Sequence, residues 1–142
     1  MSDCVFCDIV AGTAPASIAY QDDVVIAFMD IRPINHGQLV VIPRKHNTHL
    51  ADMDEETGKH LFPVTMRLAQ AVRNSGVKCE GVNLLLADGE VAGQEIFHTH
   101  ILVIPRFRED AFQVSAEWST KPDRDELDEA AARISRAYQL LH

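Results

Sequence analysis

The chain has 142 residues, of which 46% are hydrophobic and 24% charged, so it is long enough to form one domain with a substantial core. Its formal net charge is -8, from 13 basic and 21 acidic residues, which argues against nucleic-acid binding through a broad basic surface. A small phosphate ligand, which needs only local donors, stays compatible with this charge. The apolar runs are too short for a membrane span, and the segment MSDCVFC lacks the features of a signal peptide. We therefore expect a cytoplasmic protein.

The first motif is Cys4-Val5-Phe6-Cys7. Its two cysteines belong to a total of three, an odd number that suits a reducing compartment and metal binding better than disulfides. Two thiolates at this spacing supply half the ligands of a tetrahedral metal ion. They are equally typical of two small buried side chains, so the short motif leaves both interpretations open.

A helix over 8–11 and a hairpin with strands over 18–20 and 24–30 follow. Asp30 closes the second strand, where its carboxylate can accept hydrogen bonds from a ligand's hydroxyl groups or form an Asx turn. A strand over 38–43 comes next and ends at a proline.

His46 and His49 lie just past that strand. Either can be a metal ligand or a solvated loop histidine. The clearest helical periodicity covers 52–74, with Asp52 or Asp54 as the cap and with Pro63 expected to bend the helix or shift its start.

The segment over 82–86 is very apolar and predicts a strand that is buried on both faces. Cys79, before it, is expected to be a free thiol. A second amphipathic helix is predicted over 123–141. Internal repeats and inter-domain linkers are not evident, so we expect a single domain over 1–142.

The segment GQEIFHTHILVIPR, residues 93–106, carries the chemistry. A strand over 95–105 would place His98, His100 and Leu102 on one face. The preceding loop, 87–93, has the glycines that let backbone N–H groups approach a small anion. A neutral imidazole beside such donors can attack a phosphorus centre, whereas the bland alternative is a pair of half-buried structural histidines.

Combining these fragments extends the prediction. The two cysteines, one histidine after the 38–43 strand and one histidine of the pair make a Cys₂His₂ set. The other histidine of the pair then stays available for chemistry.

Four segments occur in a distinctive order: CVFCDIVAG, YQDDVVIAFMDIRP, HGQLVVIPRKH and ADGEVAGQEIFHTHILVIPR. Together they resemble the histidine triad (HIT) family of nucleotide hydrolases and transferases over about 4–107. The resemblance implies an α+β, HIT-like fold, a five-stranded antiparallel sheet with one long helix, usually paired as a homodimer. The C-terminal extension, with its helix at about 123–141, is not diagnostic.

The resemblance also implies the site. His100 corresponds to the family's middle histidine, which attacks the α-phosphorus of adenylated, dinucleoside polyphosphate or phosphoramidate substrates. A nucleotidyl-histidine intermediate then passes to water and releases a nucleoside monophosphate. The implied ligand is a purine nucleoside phosphate such as AMP or GMP. Its implied binding residues are the ribose partner Asp30, the base slot of Phe6, Ile9, Phe28 and Ile31, and the phosphate loop of Gly93, Gln94 and Glu95.

In family members with an N-terminal Cys-x-x-Cys motif, a structural zinc ion is implied. The corresponding ligands here are Cys4, Cys7, His46 and His98, which returns His49 to the role of a loop histidine. Leu102 stands in place of the third triad histidine, and Ala87 stands where the family often has an amide. These two departures favour a second hypothesis, a nucleotide-binding or interaction module with weakened catalysis.

Overall fold

The computed structural model describes residues 3–141. They divide into two compact units, the first ending at Phe112 and the second beginning at Gln113. The first unit is a five-stranded sheet with two helices, and the second contains one helix. The prediction of a single domain over 1–142 remains a prediction.

The sheet is antiparallel throughout, with the strand order β1-β2-β3-β5-β4. Its strands are β1 (Ile18–Gln21), β2 (Val25–Met29), β3 (Leu39–Pro43), β4 (Gly81–Leu85) and β5 (Ile101–Arg106). The helices are α1 (Val5–Ala11) and α2 (Glu55–Asn74) in the first unit and α3 (Arg124–Gln139) in the second, with short 3₁₀ turns at Leu50–Asp52 and Glu90–Ala92. The α+β fold and the five-stranded antiparallel sheet are therefore confirmed.

The two faces of the sheet bury separate apolar clusters because successive strand residues point to opposite faces. The cluster on the α2 face contains Val25, Ala27, Leu39, Val41, Leu61, Val64, Leu68, Val72, Ile101 and Val103. The cluster on the α1 face contains Phe6, Ile26, Phe28, Val40 and Ile42, with Leu102 packed against it. The functional chemistry predicted from the sequence falls on the α1 face.

Helix α2 begins after Asp54, whose side chain accepts a hydrogen bond from the Thr57 backbone N–H. Pro63 lies inside the helix without ending it. A proline in a helix interior removes one backbone hydrogen bond, and Pro63 does so at an exposed position of α2. Of the two effects expected of Pro63, a shifted helix start was therefore wrong, and a bend stays a prediction.

Strand β4 differs from its prediction. Its residues are half-buried or exposed, and the side chains of Leu84 and Leu85 are 42% and 44% exposed. The apolar sequence suggested burial on both faces, but β4 is an edge strand that pairs only with β5. Within residues 3–141, one edge of β4 is therefore unpaired, and the apolar side chains of Leu84 and Leu85 are exposed.

Strand β5 begins later than predicted, at Ile101 rather than at residue 95. His98 and His100 lie in an irregular segment that enters the strand. The later start has a tertiary cause, because the Thr99 N–H donates to the Asn47 carbonyl in the loop after β3 and not to a neighbouring strand. The two histidines are therefore held by specific side-chain and loop contacts rather than by the sheet ladder.

The second unit contains α3, which is capped by Asp123 through the Glu126 N–H. Its described residues from Gln113 onward are all exposed, including Trp118 and the apolar side chains of the helix. Across residues 3–141, none of the helices combines the length and the apolar character needed to cross a membrane.

Candidate functional site

Four side chains form a compact cluster of metal-ligand type: Cys4, Cys7, His46 and His98. Cys4 caps the N-terminus of α1, and its Sγ accepts a hydrogen bond from the Cys7 N–H at 3.4 Å. His46 follows β3, and His98 precedes β5. One ligand atom from each residue lies within 4.8 Å of all the others. The fold thus brings together the four residues that the sequence proposed from three distant segments.

The distances within this cluster fit a tetrahedral ion. Cys4 Sγ lies 3.4 Å from His98 Nδ1, Cys7 Sγ lies 3.3 Å from His46 Nδ1, and the two Nδ1 atoms are 3.2 Å apart. Metal bonds of about 2.1 Å to nitrogen and about 2.3 Å to sulfur place the corners of a tetrahedron roughly 3.4–3.8 Å apart. The three separations lie within about 0.3 Å of the corresponding ideal values. The donor set and its spacing are therefore suited to a four-coordinate metal with no open position.

The protonation of His98 also suits a ligand. Its ring is fully buried, and Nε2 lies 2.8 Å from the Pro43 carbonyl, so Nε2 carries the proton and Nδ1 keeps its lone pair. Burial lowers the pKa of His98, which keeps the imidazole neutral. Burial and the neighbouring Cys4 thiol raise the pKa of Cys7 to about 11. A bound cation would lower the pKa of Cys7 and favour its thiolate.

A cavity of about 560 Å³ adjoins this cluster on the α1 face of the sheet. Its lining includes seven of the predicted nucleotide-binding residues, Phe6, Ile9, Phe28, Asp30, Ile31, Gly93 and Glu95, together with His100. The volume is within the range of small-molecule sites. The lining combines apolar side chains such as Phe6 and Phe28 with charged and polar groups such as Asp30 and His100, which suits a ligand that has both an apolar and a polar part.

His100 contributes an imidazole of defined tautomer to this cavity. Its Nδ1 lies 2.7 Å from the His98 backbone carbonyl, which can only accept, so Nδ1 carries the proton and Nε2 keeps the lone pair. The ring of Phe6 stands edge-to-face against His100 with centroids 5.1 Å apart. Phe6 also contacts His98 at 5.9 Å. The arrangement fixes the imidazole in position and leaves one nitrogen available for chemistry.

Asp30 lines the cavity and follows directly after the last residue of β2. Its Oδ1 accepts from the Arg32 N–H at 2.9 Å, and its Oδ2 accepts from Gln38 Nε2 at 2.8 Å. The first bond is the Asx turn that the sequence offered as an alternative. Turn formation and cavity lining occur in the same residue, so the two interpretations of Asp30 are compatible.

The loop before His98 is shaped by glycines and by Gln94. Gly93 has a φ of 101°, a left-handed conformation that favours glycine. The Gln94 side chain is buried, where it accepts from the Gly89 N–H at 2.8 Å and donates to the Thr48 carbonyl at 2.8 Å. Its side chain therefore holds the loop and does not line the cavity. The Gln94 backbone N–H is also used within the loop, where it donates to the Gly89 carbonyl at 3.1 Å.

Two buried polar residues beside the histidines are not predicted by the sequence. Asn47 Nδ2 donates to Thr99 Oγ1 at 2.7 Å, and the Thr99 N–H donates to the Asn47 carbonyl at 2.8 Å. Asn47 follows His46, and Thr99 separates His98 from His100. This pair connects the loop that carries His46 to the segment that carries His98 and His100. Their only signal was adjacency to the histidines, since neither residue type at this spacing predicts burial.

The remaining predicted positions fall as follows. Leu102 lines the cavity and packs against the α1-face cluster, so an aliphatic side chain stands near His100 on this face. His49 is outside the metal cluster, and its Nδ1 lies 3.5 Å from Asp88 Oδ1 on the surface. Cys79 is also outside the cluster, and its Sγ donates to the Gly81 carbonyl.

Known proteins share this architecture. The HIT domain family matches residues 11–109 of the chain. An uncharacterized HIT-like protein from Borreliella burgdorferi is 41% identical over 114 residues, covering 79% of this chain and 81% of that protein. Adenylylsulfatase HINT3 from Arabidopsis thaliana is 35% identical over 136 residues, covering 94% of this chain and 66% of that protein. The crystal structure of a zinc-bound histidine triad family protein from Mycobacterium smegmatis is similar with a TM-score of 0.75 and 38% identity, covering 95% of this chain and 97% of that one. On the extent of these matches, the chain belongs to the HIT domain family.

Proposed function

We propose that this protein is a nucleotide-binding hydrolase that cleaves at the α-phosphorus of adenylated, dinucleoside polyphosphate or phosphoramidate substrates. The observation that carries this proposal is the placement of His100. Its unprotonated Nε2 belongs to a residue that lines a cavity with Asp30 and Gly93, while its Nδ1 is held by the His98 carbonyl. A positioned neutral imidazole is a competent nucleophile for phosphorus.

The proposed reaction has two displacements. Nε2 of His100 attacks the α-phosphorus, a P–N bond forms, and the bond to the leaving group breaks with its electron pair. The leaving group takes a proton from solvent. Water then attacks the same phosphorus and gives a proton to solvent, the P–N bond breaks and returns its electron pair to Nε2, and a nucleoside monophosphate is released. The His98 carbonyl stabilises the positive charge that the ring carries in the intermediate.

The proposed binding roles follow from the chemistry of the cavity lining. The base packs against the apolar side chains of Phe6, Ile9, Phe28 and Ile31, and Asp30 accepts hydrogen bonds from the ribose hydroxyls. The phosphate lies against the loop of Gly93, Gln94 and Glu95. The Gly93 and Gln94 N–H groups donate to the Glu90 and Gly89 carbonyls and hold this turn, so the Glu95 N–H is the proposed phosphate donor. A purine nucleoside phosphate, AMP or GMP, is the proposed ligand class.

The metal we propose is zinc, held by Cys4, Cys7, His46 and His98. These four ligands complete a tetrahedron, so the ion is structural and stabilises the fold around the nucleophile. The zinc-bound relative from Mycobacterium smegmatis supports the choice of metal. Thiolate ligands persist in a reducing compartment, which favours the cytoplasm as the location.

The relative from Arabidopsis is an adenylylsulfatase, which favours adenylated substrates for this chain as well.

We also propose a homodimer. The unpaired edge of β4 and its exposed Leu84 and Leu85 would be covered by a second copy of the chain. Sedimentation analysis tests this, since a monomer at micromolar concentration would contradict it.

A second candidate function is a nucleotide-binding module with weakened catalysis. It is favoured by the aliphatic Leu102 in the cavity and by Ala87, which stand in place of polar family residues. The loss of one transition-state hydrogen-bond donor costs about 3 kcal/mol, or roughly a hundredfold in rate. The two candidates share a ligand and differ in turnover.

The test is AMP release from a panel of diadenosine polyphosphates, an adenosine phosphoramidate and adenylyl sulfate. The wild-type protein should release AMP, His100→Ala should abolish release, and the surface variant His49→Ala should retain it. Nucleotide binding without AMP release at any pH would favour the binding module. Failure to bind nucleotide at all would contradict both candidates.

A further inference from the structure

Gln38 occupies a position that the catalytic proposal does not explain. It is 2% exposed, it immediately precedes β3, and it lines the cavity beside Asp30. A buried amide must have partners for its donors and its acceptor, because an unsatisfied polar group costs free energy. The partners of Gln38 therefore reveal what the residue does.

The orientation of the Gln38 amide follows from its neighbours. The Ile34 backbone N–H lies 2.9 Å from Oε1, and an N–H can only donate. Oε1 must therefore face Ile34, which turns Nε2 toward Asp30 Oδ2 at 2.8 Å. A backbone bond runs between the same two residues, from the Asp30 N–H to the Gln38 carbonyl at 3.0 Å. The amide is fixed at both ends.

The turn before Gln38 holds it in register. The Gln38 N–H donates to the Asn35 carbonyl at 3.2 Å, and Gly37 has a φ of 93°. A Cβ at Gly37 would lie 2.5 Å from Val77 Cγ1, so this turn has no room for a side chain. The turn that carries the Gln38 amide is therefore held by this hydrogen bond and by the close approach of Val77 to Gly37.

Asp30 is consequently prepared as an acceptor. Each carboxylate oxygen accepts one protein hydrogen bond, from the Arg32 N–H and from Gln38 Nε2 respectively. A carboxylate offers about four lone-pair sites, so each oxygen keeps one for a ligand. Two remaining acceptor sites on adjacent oxygens match two neighbouring hydroxyl donors.

We propose that Gln38 is a positioning residue that holds the Asp30 carboxylate to accept both hydroxyls of a ribose, so that the site prefers ribonucleotides to 2′-deoxyribonucleotides. The inference rests on the proposed function, because it assumes a nucleotide in the cavity. It adds a residue that affects the choice between ribose and 2′-deoxyribose through its hydrogen bond to Asp30. Its effect should appear in sugar discrimination rather than in general affinity.

The experiment compares the dissociation constants of AMP and 2′-deoxy-AMP by calorimetry. The wild-type protein should bind AMP about tenfold more tightly, or better, since hydrogen bonds to a charged acceptor are among the strong ones. Gln38→Met preserves length and removes the donor, and the ratio should fall to within about threefold. Gln38→Glu keeps an acceptor for the Ile34 N–H but sets a second carboxylate against Asp30, and the ratio should fall likewise.

Two controls separate positioning from folding. Gln70→Glu, on the exposed surface of α2, makes the same chemical change away from the cavity and should leave the ratio intact. In an Asp30→Asn background, Gln38→Met should change the ratio little further, because the two residues act as a unit. A general loss of structure would weaken both nucleotides equally.

Wild-type binding with a normal preference for AMP, together with an unchanged ratio in folded Gln38→Met, would overturn this inference and leave the proposed function intact. A folded wild-type protein that binds neither nucleotide would overturn both.

Discussion

The backbone carbonyl of His98 lies 2.7 Å from Nδ1 of His100. The same residue contributes its ring to the metal-ligand cluster and donates from Nε2 to the Pro43 carbonyl. His98 therefore faces the metal with its ring and the neighbouring imidazole with its backbone. The position and tautomer of the proposed nucleophile depend on a residue that the metal would hold in place.

Removal of the metal should therefore affect both stability and turnover. Metal analysis of the wild-type protein should find about one zinc per chain, and Cys7→Ser should lose it and lower Tm by roughly 10 °C or more. Cys79→Ser is the matched control, because Cys79 lies outside the cluster and should keep the zinc. A wild-type protein that contains no zinc, or whose Tm is the same before and after zinc is removed, would contradict the metal assignment.

The hydrogen bonds between Asn47 and Thr99 should also contribute to stability and turnover, because they hold the segments that carry His46, His98 and His100 together. Thr99→Val removes the hydroxyl that accepts from Asn47 Nδ2 and leaves a buried amide without that partner. We expect a loss of about 1–3 kcal/mol in the free energy of unfolding, with a lower kcat. Denaturant unfolding measures the first, and Thr120→Val on the exposed second unit serves as the control. Equal stability of the two variants would show that the pair contributes little.

The variant Leu102→His distinguishes the two candidate functions. It would place an imidazole at the position that the family resemblance assigns to the third triad histidine, in the lining of the cavity that also includes His100. If a missing donor limits turnover, kcat should rise, by up to about a hundredfold. The free energy of unfolding should fall by about 1–3 kcal/mol because Leu102 packs in an apolar cluster. Steady-state kinetics with an adenosine phosphoramidate gives the answer, and an unchanged kcat would show that the strand works without that histidine.

Stability toward acid should depend on Asp110. The Arg106 guanidinium, bonded to both carboxylate oxygens at 2.7 and 2.8 Å, holds the pKa of Asp110 well below its usual range. The folded state therefore keeps this carboxyl ionised at a pH where the unfolded chain binds a proton. Its stabilising contribution is complete above the usual aspartate pKa of about 3.9 and is lost as the pH falls toward the lower folded pKa.

The variant Asp110→Asn checks this dependence. It should be less stable than the wild-type protein at pH 7, and the two Tm curves should converge as the pH falls below about 4. Asp128→Asn, on the exposed surface of α3, should follow the wild-type curve. Parallel curves for Asp110→Asn and the wild type across this range would mean that the Arg106 pair does not couple folding to pH.

Periodicity and turn chemistry predicted most of the fold. Helical spacing in α2 predicts a core-facing stripe of Leu61, Val64, Leu68, Ala71 and Val72, because a helix that covers one sheet face needs that pattern. All of these except Ala71, which is exposed, pack in the core. Strand β4 was misjudged because an apolar sequence does not reveal whether a strand is central or at an edge. The start of β5 was misjudged because a tertiary bond from Thr99 to Asn47 replaces the regular ladder.

The site was predictable to a different depth. Residues with distinctive chemistry, such as Cys4 and Cys7, could be grouped with two histidines because few residue types bind a soft metal. The choice of His46 and His98 as those two histidines came from the family resemblance. Gln38 and Thr99 could not, because common polar residues acquire their meaning only from partners that are distant in sequence. Gln94 was placed in the phosphate loop, yet its side chain is turned inward to hold that loop.

The central claim is that His100 forms a covalent bond to the α-phosphorus. The stereochemical course at phosphorus tests it most directly, using an adenylated substrate whose α-phosphorus is made chiral with sulfur and an oxygen isotope. Two successive in-line displacements, first by His100 and then by water, predict overall retention of configuration in the released nucleotide. Inversion would mean a single direct attack by water and would contradict the proposed role of His100.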